Sequence, residues 1–278
     1  KKGMDVTLFA TQDSLTSAKL SAVCPQGYEE DQNLNPMVNT ALHIANLLEK
    51  SSDFDIIHNH FDAWPLTYTP WIKTPMLTTI YGFSSPQHPL IYKKYNSGTH
   101  YVAISNAFQK VADLSYIATV YLGIDLASFN FQPQSKNYLL FFARINHDKG
   151  AREAIEIAQQ SGRPLVMAGV APDQEYFNTY VKPFINSQQI SYVGNANPEQ
   201  RKELLSNASA LLHPINFDEP FGLGPVEAMA SGTPVIAMNR GSMPEIIING
   251  KTGFLVNSVK EAVTTVSKLP GIDRAQCR

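Results

Sequence analysis

Short apolar runs that are rich in β-branched and aromatic residues alternate with helical patterns along most of the chain. In the first half, strand-like runs lie at 4–10, 55–60, 76–82 and 100–105, and an amphipathic helical pattern lies at 37–50. Strands that alternate with helices are typical of parallel sheets with helices packed on them. The sequence therefore predicts an α/β fold with doubly wound parallel sheets.

The alternation is interrupted once and then resumes. The interruption is the polar stretch DLASFNFQPQSK, residues 125–136, which is broken by Pro133. Beyond it, strand-like runs lie at 137–145, 164–169, 190–194, 210–215 and 234–238, and helical patterns lie at 151–160 and from Pro198, with Asn197 as the expected cap. We therefore expect two domains, residues 1–125 and residues 126–278, which agrees with a length of 278 residues.

Composition argues against several classes of function. The net charge is −2 and no block of like charges is present, which argues against nucleic-acid binding over a broad basic surface. No run of about 18 apolar residues is present, so we expect no transmembrane segment, and no signal peptide is visible. Cys24 and Cys277 are far apart in the sequence, which predicts free thiols of a reducing compartment. The expected location is the cytoplasm.

Two cations follow the first strand of the second half. Arg144 and Lys149 lie in the stretch ARINHDKG, between that strand and the next helical pattern. In open α/β sheets, ligands bind beyond the carboxyl ends of the strands. The planar fork of an arginine and the compact charge of a lysine suit a diphosphate. A pair of solvated surface charges would have the same pattern.

A glycine-rich turn in DEPFGLGPVEAMASGTPVIA offers a second anion site. Backbone N–H groups at the start of a helix attract phosphate, and glycines allow a close approach. The residues with these groups are Phe221, Gly222, Leu223 and Gly224. Glu219 precedes them on the loop, where it can face a sugar or a positive centre. Glu227 is expected in the first turn of the helix, where it can accept hydrogen bonds from a ribose diol or simply match the helix dipole.

The longer stretch FDEPFGLGPVEAMASGTPVIAMNRGSMPEIIINGKTGFLV resembles the signature of the retaining glycosyltransferases of family four, which are group 1 glycosyl transferases with the GT-B fold. LLFFARINHDKG resembles their diphosphate clamp, and DIIHNHFD, TTIYGFSSP and YVAIS resemble their amino-terminal domain. The resemblance implies two Rossmann-like domains that face a cleft, with the acceptor side in residues 1–125 and the nucleotide-sugar side in residues 126–278. Beside that family, the chain looks truncated at both ends.

The resemblance also implies an activity. A hexose would pass from a nucleotide-diphosphate sugar to a hydroxyl of an acceptor, which can be a sugar, a lipid-linked sugar or a small molecule. A UDP-sugar is favoured over a GDP- or ADP-sugar as the donor. Transfer would retain the anomeric configuration and need no metal or other cofactor, because cations and helix amides stabilise the departing charge. The protein would be cytoplasmic or peripheral at a membrane.

Residue roles follow from the same resemblance. Arg144 and Lys149 would neutralise the departing diphosphate. The amides of residues 221–224 would contact the phosphate or the donor sugar. Glu227 would bind the ribose hydroxyls, and Glu219 would lie beside the sugar.

Tyr81 departs from the family pattern. The family has a histidine in a T-x-H-G turn near the donor sugar, and a tyrosine can donate a hydrogen bond there but cannot carry positive charge near pH 7. His58 and His60 share one face of a predicted strand, because alternate side chains do. We expect His60 to line the substrate site, whereas a metal pair would lack a third ligand. His213 is expected to be partly buried with its ring satisfied.

Two other functions compete with the transferase. Tyr81 and the lack of a glycine-rich loop before Met4 favour a non-catalytic relative that binds a nucleotide-sugar or serves as an accessory subunit. The presence of Glu219, Glu227, Arg144 and Lys149 favours the enzyme. A Rossmann oxidoreductase would need a G-x-G-x-x-G after a strand, and the sequence has none.

Overall fold

The computed structural model describes residues 3–28, 31, 33–186 and 188–278. Two compact units make up the chain. Unit 1 consists of Lys1–Ala103 and Ala112–Ala118, and unit 2 consists of Ile104–Val111 and Thr119–Arg278. The last passage from one unit to the other, at 118–119, lies shortly before the predicted domain boundary at 125–126.

Unit 1 contains two parallel sheets. Its elements in chain order are β1 (Thr7–Phe9), β2 (Lys19–Ser21), α1 (Pro36–Glu49), β3 (Ile57–Asn59), β4 (Met76–Ile80), α2 (His88–Lys94) and β5 (His100–Ala103), and a 3-10 segment spans Trp64–Trp71. β6 (Tyr116–Thr119) completes the larger sheet, whose strand order is β3-β4-β5-β6, and β1 pairs with β2. Asn35 begins α1 because its side chain accepts hydrogen bonds from the N–H groups of Met37 and Val38.

Unit 2 contains a parallel sheet of six strands. These are β7 (Leu139–Phe142), β8 (Leu165–Ala168), β9 (Ile190–Tyr192), β10 (Ala210–His213), β11 (Val235–Met238) and β12 (Gly253–Val256). Their order is β12-β11-β10-β7-β8-β9. The chain therefore adds strands in one direction from β7 and in the other from β10, which is the doubly wound arrangement that the sequence predicts.

Helices cover both faces of this sheet. They are α4 (Ala151–Ser161), α5 (Gln174–Tyr180), α6 (Pro198–Asn207), α7 (Leu223–Ala230), α8 (Met243–Ile246), α9 (Val259–Val266) and α10 (Arg274–Cys277), and α3 (Asn106–Gln109) is a further short helix of unit 2. Leu139 and Phe141 of β7 pack into one hydrophobic cluster, whereas Leu140 packs into the other. Because β7 is buried on both faces, its sequence is an unbroken apolar run.

Local signals fix where several helices begin. Asn197 caps α6 in a capping box with Gln200, and Pro198 occupies the first helical position, as predicted. Gly150 precedes α4 in a left-handed conformation with φ of 76°. Cys24 and Cys277 are both free, as the sequence predicts, and the structure shows that both are buried. In the part of the chain that the structure describes, no helix is long and apolar enough to cross a membrane.

Candidate functional site

The strand order of unit 2 reverses between the neighbouring strands β7 and β10. Ligands of open α/β sheets bind beyond the carboxyl ends of the strands at such a reversal. The loop after β7 contains Arg144 and Lys149, and the loop after β10 contains Glu219. The fold thus brings both predicted motifs of the second half to one edge of the sheet.

Lys149 and Glu219 form an ion pair at this edge. Nζ of Lys149 lies 2.5 Å from Oε2 of Glu219, and the two side chains are only 16% and 14% exposed. Nζ also lies 4.6 Å from the centre of the Phe217 ring. Burial raises the pKa of Glu219, but His213 and Lys149 outweigh burial, so that this pKa lies below its usual value. The carboxylate is therefore ionised at neutral pH.

His213, the last residue of β10, lies beside this pair. Its Nε2 is 3.7 Å from Oε2 of Glu219. Nε2 is buried and has no hydrogen-bond partner among the described residues, so the expectation of a satisfied ring is wrong. Burial lowers the pKa of His213, Glu219 raises it in part, and Lys149 lowers it further. The ring is therefore neutral at pH 7 and leaves Lys149 as the main counterion of Glu219.

Backbone contacts hold the loop that contains Glu219. The N–H of Ser242 donates to the carbonyl oxygen of Glu219 over 3.0 Å, and its Oγ lies within hydrogen-bond distance of the carbonyls of Glu219 and Phe221. A Cβ on Gly241 would overlap the backbone of Glu219, and the φ of Gly241 is 55°. The position of Glu219 is therefore fixed by its backbone.

The start of α7 offers donors for an anion. Gly222 precedes the helix with φ of 100°. The backbone N–H groups of residues 221–224 donate to no acceptor among the described residues. A helix start of this kind has a partial positive charge. Pro225 lies in the first turn, where its missing N–H costs no hydrogen bond.

Glu227 lies in the second turn of α7 as its fifth residue, so the prediction that it lies in the first turn is wrong. The helix begins only at Leu223, after the left-handed Gly222. Oε1 of Glu227 forms an ion pair with Nη2 of Arg201 from α6, and the Glu227 side chain is 11% exposed. Oε2 accepts no hydrogen bond from the described residues. Arg201 was not identified from the sequence, because nothing local links it to α7.

Arg144 lies on the same loop as Lys149, but its side chain is exposed. It forms no ion pair or hydrogen bond with the described residues. The structure thus brings Lys149 and Glu219 together, and it leaves the guanidinium of Arg144 available.

Glu245 of α8 is a further residue that sequence analysis missed. Its carboxylate accepts the backbone N–H groups of Asn106 and Ala107 over 2.9 and 2.6 Å, and the hydroxyl of Tyr121 over 2.8 Å. Burial raises the pKa of Glu245, but these donors outweigh burial, so that its pKa lies below its usual value. The Tyr121 ring lies 6.0 Å from the ring of Phe221, the first of the four residues with unpaired amides. Glu245 therefore positions an aromatic ring next to the start of α7.

In unit 1, the carboxyl ends of β3 and β4 border a cavity of 440 Å³. Its lining includes His60, Asp62, Thr79, Tyr81, Ser84 and Tyr92. Nδ1 of His60 and the hydroxyl of Tyr81 share a hydrogen bond of 2.7 Å. The rings of His58 and His60 lie 3.9 Å apart. Burial lowers the pKa of His60, and the neighbouring His58 lowers it further. The structure thus brings Tyr81 and a neutral His60 together in one cavity.

Asp62 is another cavity residue that sequence analysis missed. Its φ of 63° is left-handed, which is costly for a residue with a Cβ. The amide of Asn59 donates to its carbonyl oxygen over 2.8 Å, and the hydroxyl of Tyr92 donates to its carboxylate over 2.6 Å. These bonds hold the carboxylate at the cavity wall. Among the described residues, no three His, Cys, Asp or Glu side chains are grouped so that they could hold a metal ion.

Comparison with known proteins places the second half in a family. The sequence model described as "Glycosyl transferases group 1" matches residues 126–269. The chain is 30% identical over 149 residues to the glycogen synthase of Mycobacterium tuberculosis H37Rv, which covers 50% of this chain and 36% of that protein. It is 30% identical over 173 residues to the D-inositol 3-phosphate glycosyltransferase of Arthrobacter sp. FB24, and this match covers 54% of this chain and 40% of that protein. The matched segments thus span less than half the length of these relatives.

Solved structures share the fold over most of the chain. A glycosyltransferase involved in Avilamycin A biosynthesis matches with a TM-score of 0.65 and 22% identity, over 99% of this chain and 79% of that one. Anabaena HepE in complex with UDP and glucose matches with a TM-score of 0.72 and 17% identity, over 94% of this chain and 80% of that one. The predicted fold class is therefore confirmed as that of the GT-B glycosyltransferases.

Proposed function

The chain belongs to the group 1 glycosyl transferases, and on this premise we propose that it moves a hexose from a nucleotide-diphosphate sugar to a hydroxyl acceptor. We place it among the retaining, metal-independent enzymes of family four. The observation that carries the proposal is the ion pair of Lys149 and Glu219, which lies at the strand-order reversal together with the unpaired amides of residues 221–224.

The diphosphate of the donor binds the cationic groups of this edge. Lys149 is held by Glu219 before the donor arrives, and the exposed Arg144 has no competing partner among the described residues. Each hydrogen bond from a charged group contributes about 1.5–3 kcal/mol. The amides at the start of α7 add donors that need no rearrangement, which is what stabilises charge on a departing phosphate.

Glu227 binds the ribose. Its Oε1 is paired with Arg201, which fixes the orientation of the carboxylate, and its Oε2 is available for a hydroxyl. Arg201 is held in turn by the ring of Phe129, which lies 5.5 Å from the centre of the guanidinium. Arg201 thus serves as a positioning residue for the nucleotide.

Glu219 faces the hexose. Because the pKa of Glu219 is lowered, its negative charge is present at neutral pH and stabilises the positive charge that develops at the anomeric carbon. As the bond to the diphosphate breaks, the acceptor hydroxyl attacks from the same face and its proton passes to the departing phosphate. The configuration is retained without a covalent intermediate.

The acceptor binds in the cavity of unit 1, where Tyr81 and His60 offer a linked hydrogen-bonding pair to a sugar, a lipid-linked sugar or a small molecule. UDP is the favoured nucleotide of the donor, and the complex of Anabaena HepE with UDP and glucose supports this choice. The protein acts in the cytoplasm or at the surface of a membrane.

Calorimetric titration with UDP, GDP and ADP tests the proposal, each with EDTA and with Mg²⁺. We expect one nucleotide to bind equally under both conditions. The variant Lys202→Ala, at a lysine that is partly exposed and pairs with Glu199, should bind it like the wild type. If no nucleotide binds, the proposed donor site is wrong.

A non-catalytic relative is the second candidate, and the observation in its favour is that Tyr81 takes the place of the family's histidine and is bonded to His60. Nucleotide binding without hydrolysis or transfer of any matching UDP-, GDP- or ADP-hexose, over a panel of acceptors, would favour this candidate.

A further inference from the structure

A second cavity of 550 Å³ lies in unit 2, away from the proposed donor site. Its lining includes residues 133–135, Arg163, Ser209 and Pro234, which directly precede or lie just before the strands β7, β8, β10 and β11. It is therefore at the amino edge of the sheet, whereas Lys149 and Glu219 follow the carboxyl ends. A volume of this size is typical of small-molecule sites.

Two arginines meet at this cavity without a carboxylate partner. Nη2 of Arg163 donates to Oγ of Ser209 over 3.0 Å, and Nη1 of Arg274 donates to the carbonyl of the adjacent Ala208 over 2.8 Å. Neither forms an ion pair with the described residues. Both guanidinium groups line the same cavity, and an anion bound there would be attracted by both.

The two guanidinium groups differ in how far their donors are used. Arg274 also donates to the carbonyls of Gln132 and Ser206 and to the hydroxyl of Thr233, so it is a fixed part of the wall. Arg163 has five N–H donors but only one acceptor, Ser209, and its Nε is buried without a partner. Of the two arginines, Arg163 therefore has the unused hydrogen-bonding capacity.

The remaining polar lining suits an oxyanion. Gln134 and Ser135 are exposed at the cavity, and their side chains donate to no acceptor among the described residues. Asp273 is the carboxylate in the lining, and its Oδ1 accepts the N–H of Ala275 at the start of α10. Two guanidinium charges against this one carboxylate leave an excess of positive charge.

We infer that this cavity binds a small molecule with a phosphate group, held by the fork of Arg163 in the field of Arg274. A phosphate monoester has a charge of about −1.5 to −2 at pH 7, which matches two cations better than a single carboxylate does. Arginine binds such groups through two parallel hydrogen bonds. The ligand occupies the opposite edge of the sheet from the donor and does not compete with it.

The test follows the ³¹P line width of inorganic phosphate on titration with the full chain at constant ionic strength. We expect Arg163→Gln to weaken phosphate binding at least tenfold. Ser135→Asp, which places a carboxylate at an exposed position of the cavity without removing a bond, should do the same. The exposed-lysine variant Lys260→Gln and the donor-site variant Lys149→Ala should still bind phosphate, and acetate should not displace it.

Phosphate binding that persists unchanged in both Arg163→Gln and Ser135→Asp would overturn the inference. So would binding that is lost in Lys149→Ala, because the phosphate would then occupy the proposed donor site. The Ser135→Asp variant keeps the test valid if Arg163→Gln unfolds, since Ser135 has no bond to lose.

Discussion

Gly150 and Pro214 approach each other so closely that a Cβ on Gly150 would overlap the carbonyl oxygen of Pro214. Gly150 follows the lysine of the ion pair, and Pro214 follows the last residue of β10. The contact therefore ties the loop after β7 to the loop after β10. It explains why the two charged side chains meet although 70 residues separate them.

Replacement of Gly150 by alanine should be strongly destabilising. The left-handed φ of 76° costs about 1 kcal/mol for a residue with a Cβ, and the overlap with a backbone atom should bring the total to about 3 kcal/mol or more. Gly162→Ala is the matched control, because Gly162 has φ of 66° and open space around it. Urea unfolding measures both, and equal losses would contradict the role of the contact.

Lys149→Ala should weaken binding of the nucleotide about tenfold or more and abolish transfer, because it removes a cation that is expected to hold the diphosphate. It also leaves the carboxylate of Glu219 largely buried without its counterion, which should cost about 1–3 kcal/mol of unfolding free energy. Calorimetry and urea unfolding check the two effects. Lys202→Ala, at an exposed pair with Glu199, should change neither. Unchanged binding would show that the donor lies elsewhere.

Tyr81→His restores the residue that the family has in this turn, and we expect a several-fold higher turnover. The reason is that an imidazole can take a positive charge in the cavity of unit 1, which the phenol cannot. Tyr81→Phe is the control, since it removes the hydrogen bond to His60 and adds no charge. Steady-state rates with the donor that calorimetry identifies provide the measurement. Identical rates for all three proteins would mean that residue 81 does not contact the sugar.

Stability should fall with acid below pH 6.5 because of His213. Burial lowers its pKa in the folded state, so the unfolded chain takes up the proton first. The contribution of the neutral ring is complete above its unfolded pKa of about 6.5 and is lost as the pH falls through the lower folded value. His213→Gln should flatten the unfolding free energy over that window. His147→Gln, at an exposed histidine, should keep the wild-type dependence of the unfolding free energy on pH. If His213→Gln also keeps that dependence, His213 is not the cause of the acid destabilisation.

Arg201→Met should weaken nucleotide binding without abolishing it, by roughly 5- to 20-fold. The substitution removes the partner of Glu227 but keeps an apolar stem against Phe129. Binding of uridine, which has no phosphates, should weaken by the same factor, because Arg201 acts only through the contact of Glu227 with the ribose. Competition binding with uridine and UDP measures this, and a loss confined to UDP would assign Arg201 to the phosphates instead.

Alternating patterns predicted most of the sheet in unit 2, and capping residues predicted the start of α6. β2, β6 and β12 were not predicted, and their length alone does not explain this, because β1, β3 and β9 are equally short and were predicted. The start of α7 was placed too early, because a sequence does not show which of several glycines is left-handed. Gly222 adopts this conformation and shifts the helix.

The family motif identified the charged residues of the candidate site but not their partners. Arg201 and Glu245 pair with residues 26 to 139 positions away, and only the fold brings such residues together. The unpartnered ring of His213 was missed for the same reason, since burial and bonding are properties of the packed sheet. The sequence thus predicts which chemistry is present, and tertiary contacts decide which charges are compensated.

The carboxylate of Glu245 has consequences for any dissection of the chain. A fragment of residues 126–278, cut at the predicted boundary, would lack Asn106, Ala107 and Tyr121, and with them all three donors to Glu245. The missing stretch would then behave as a peptide ligand, and adding residues 104–125 back in trans should restore the fragment by complementation. A fragment that keeps all three donors to this carboxylate must therefore begin before Asn106, well ahead of the predicted boundary.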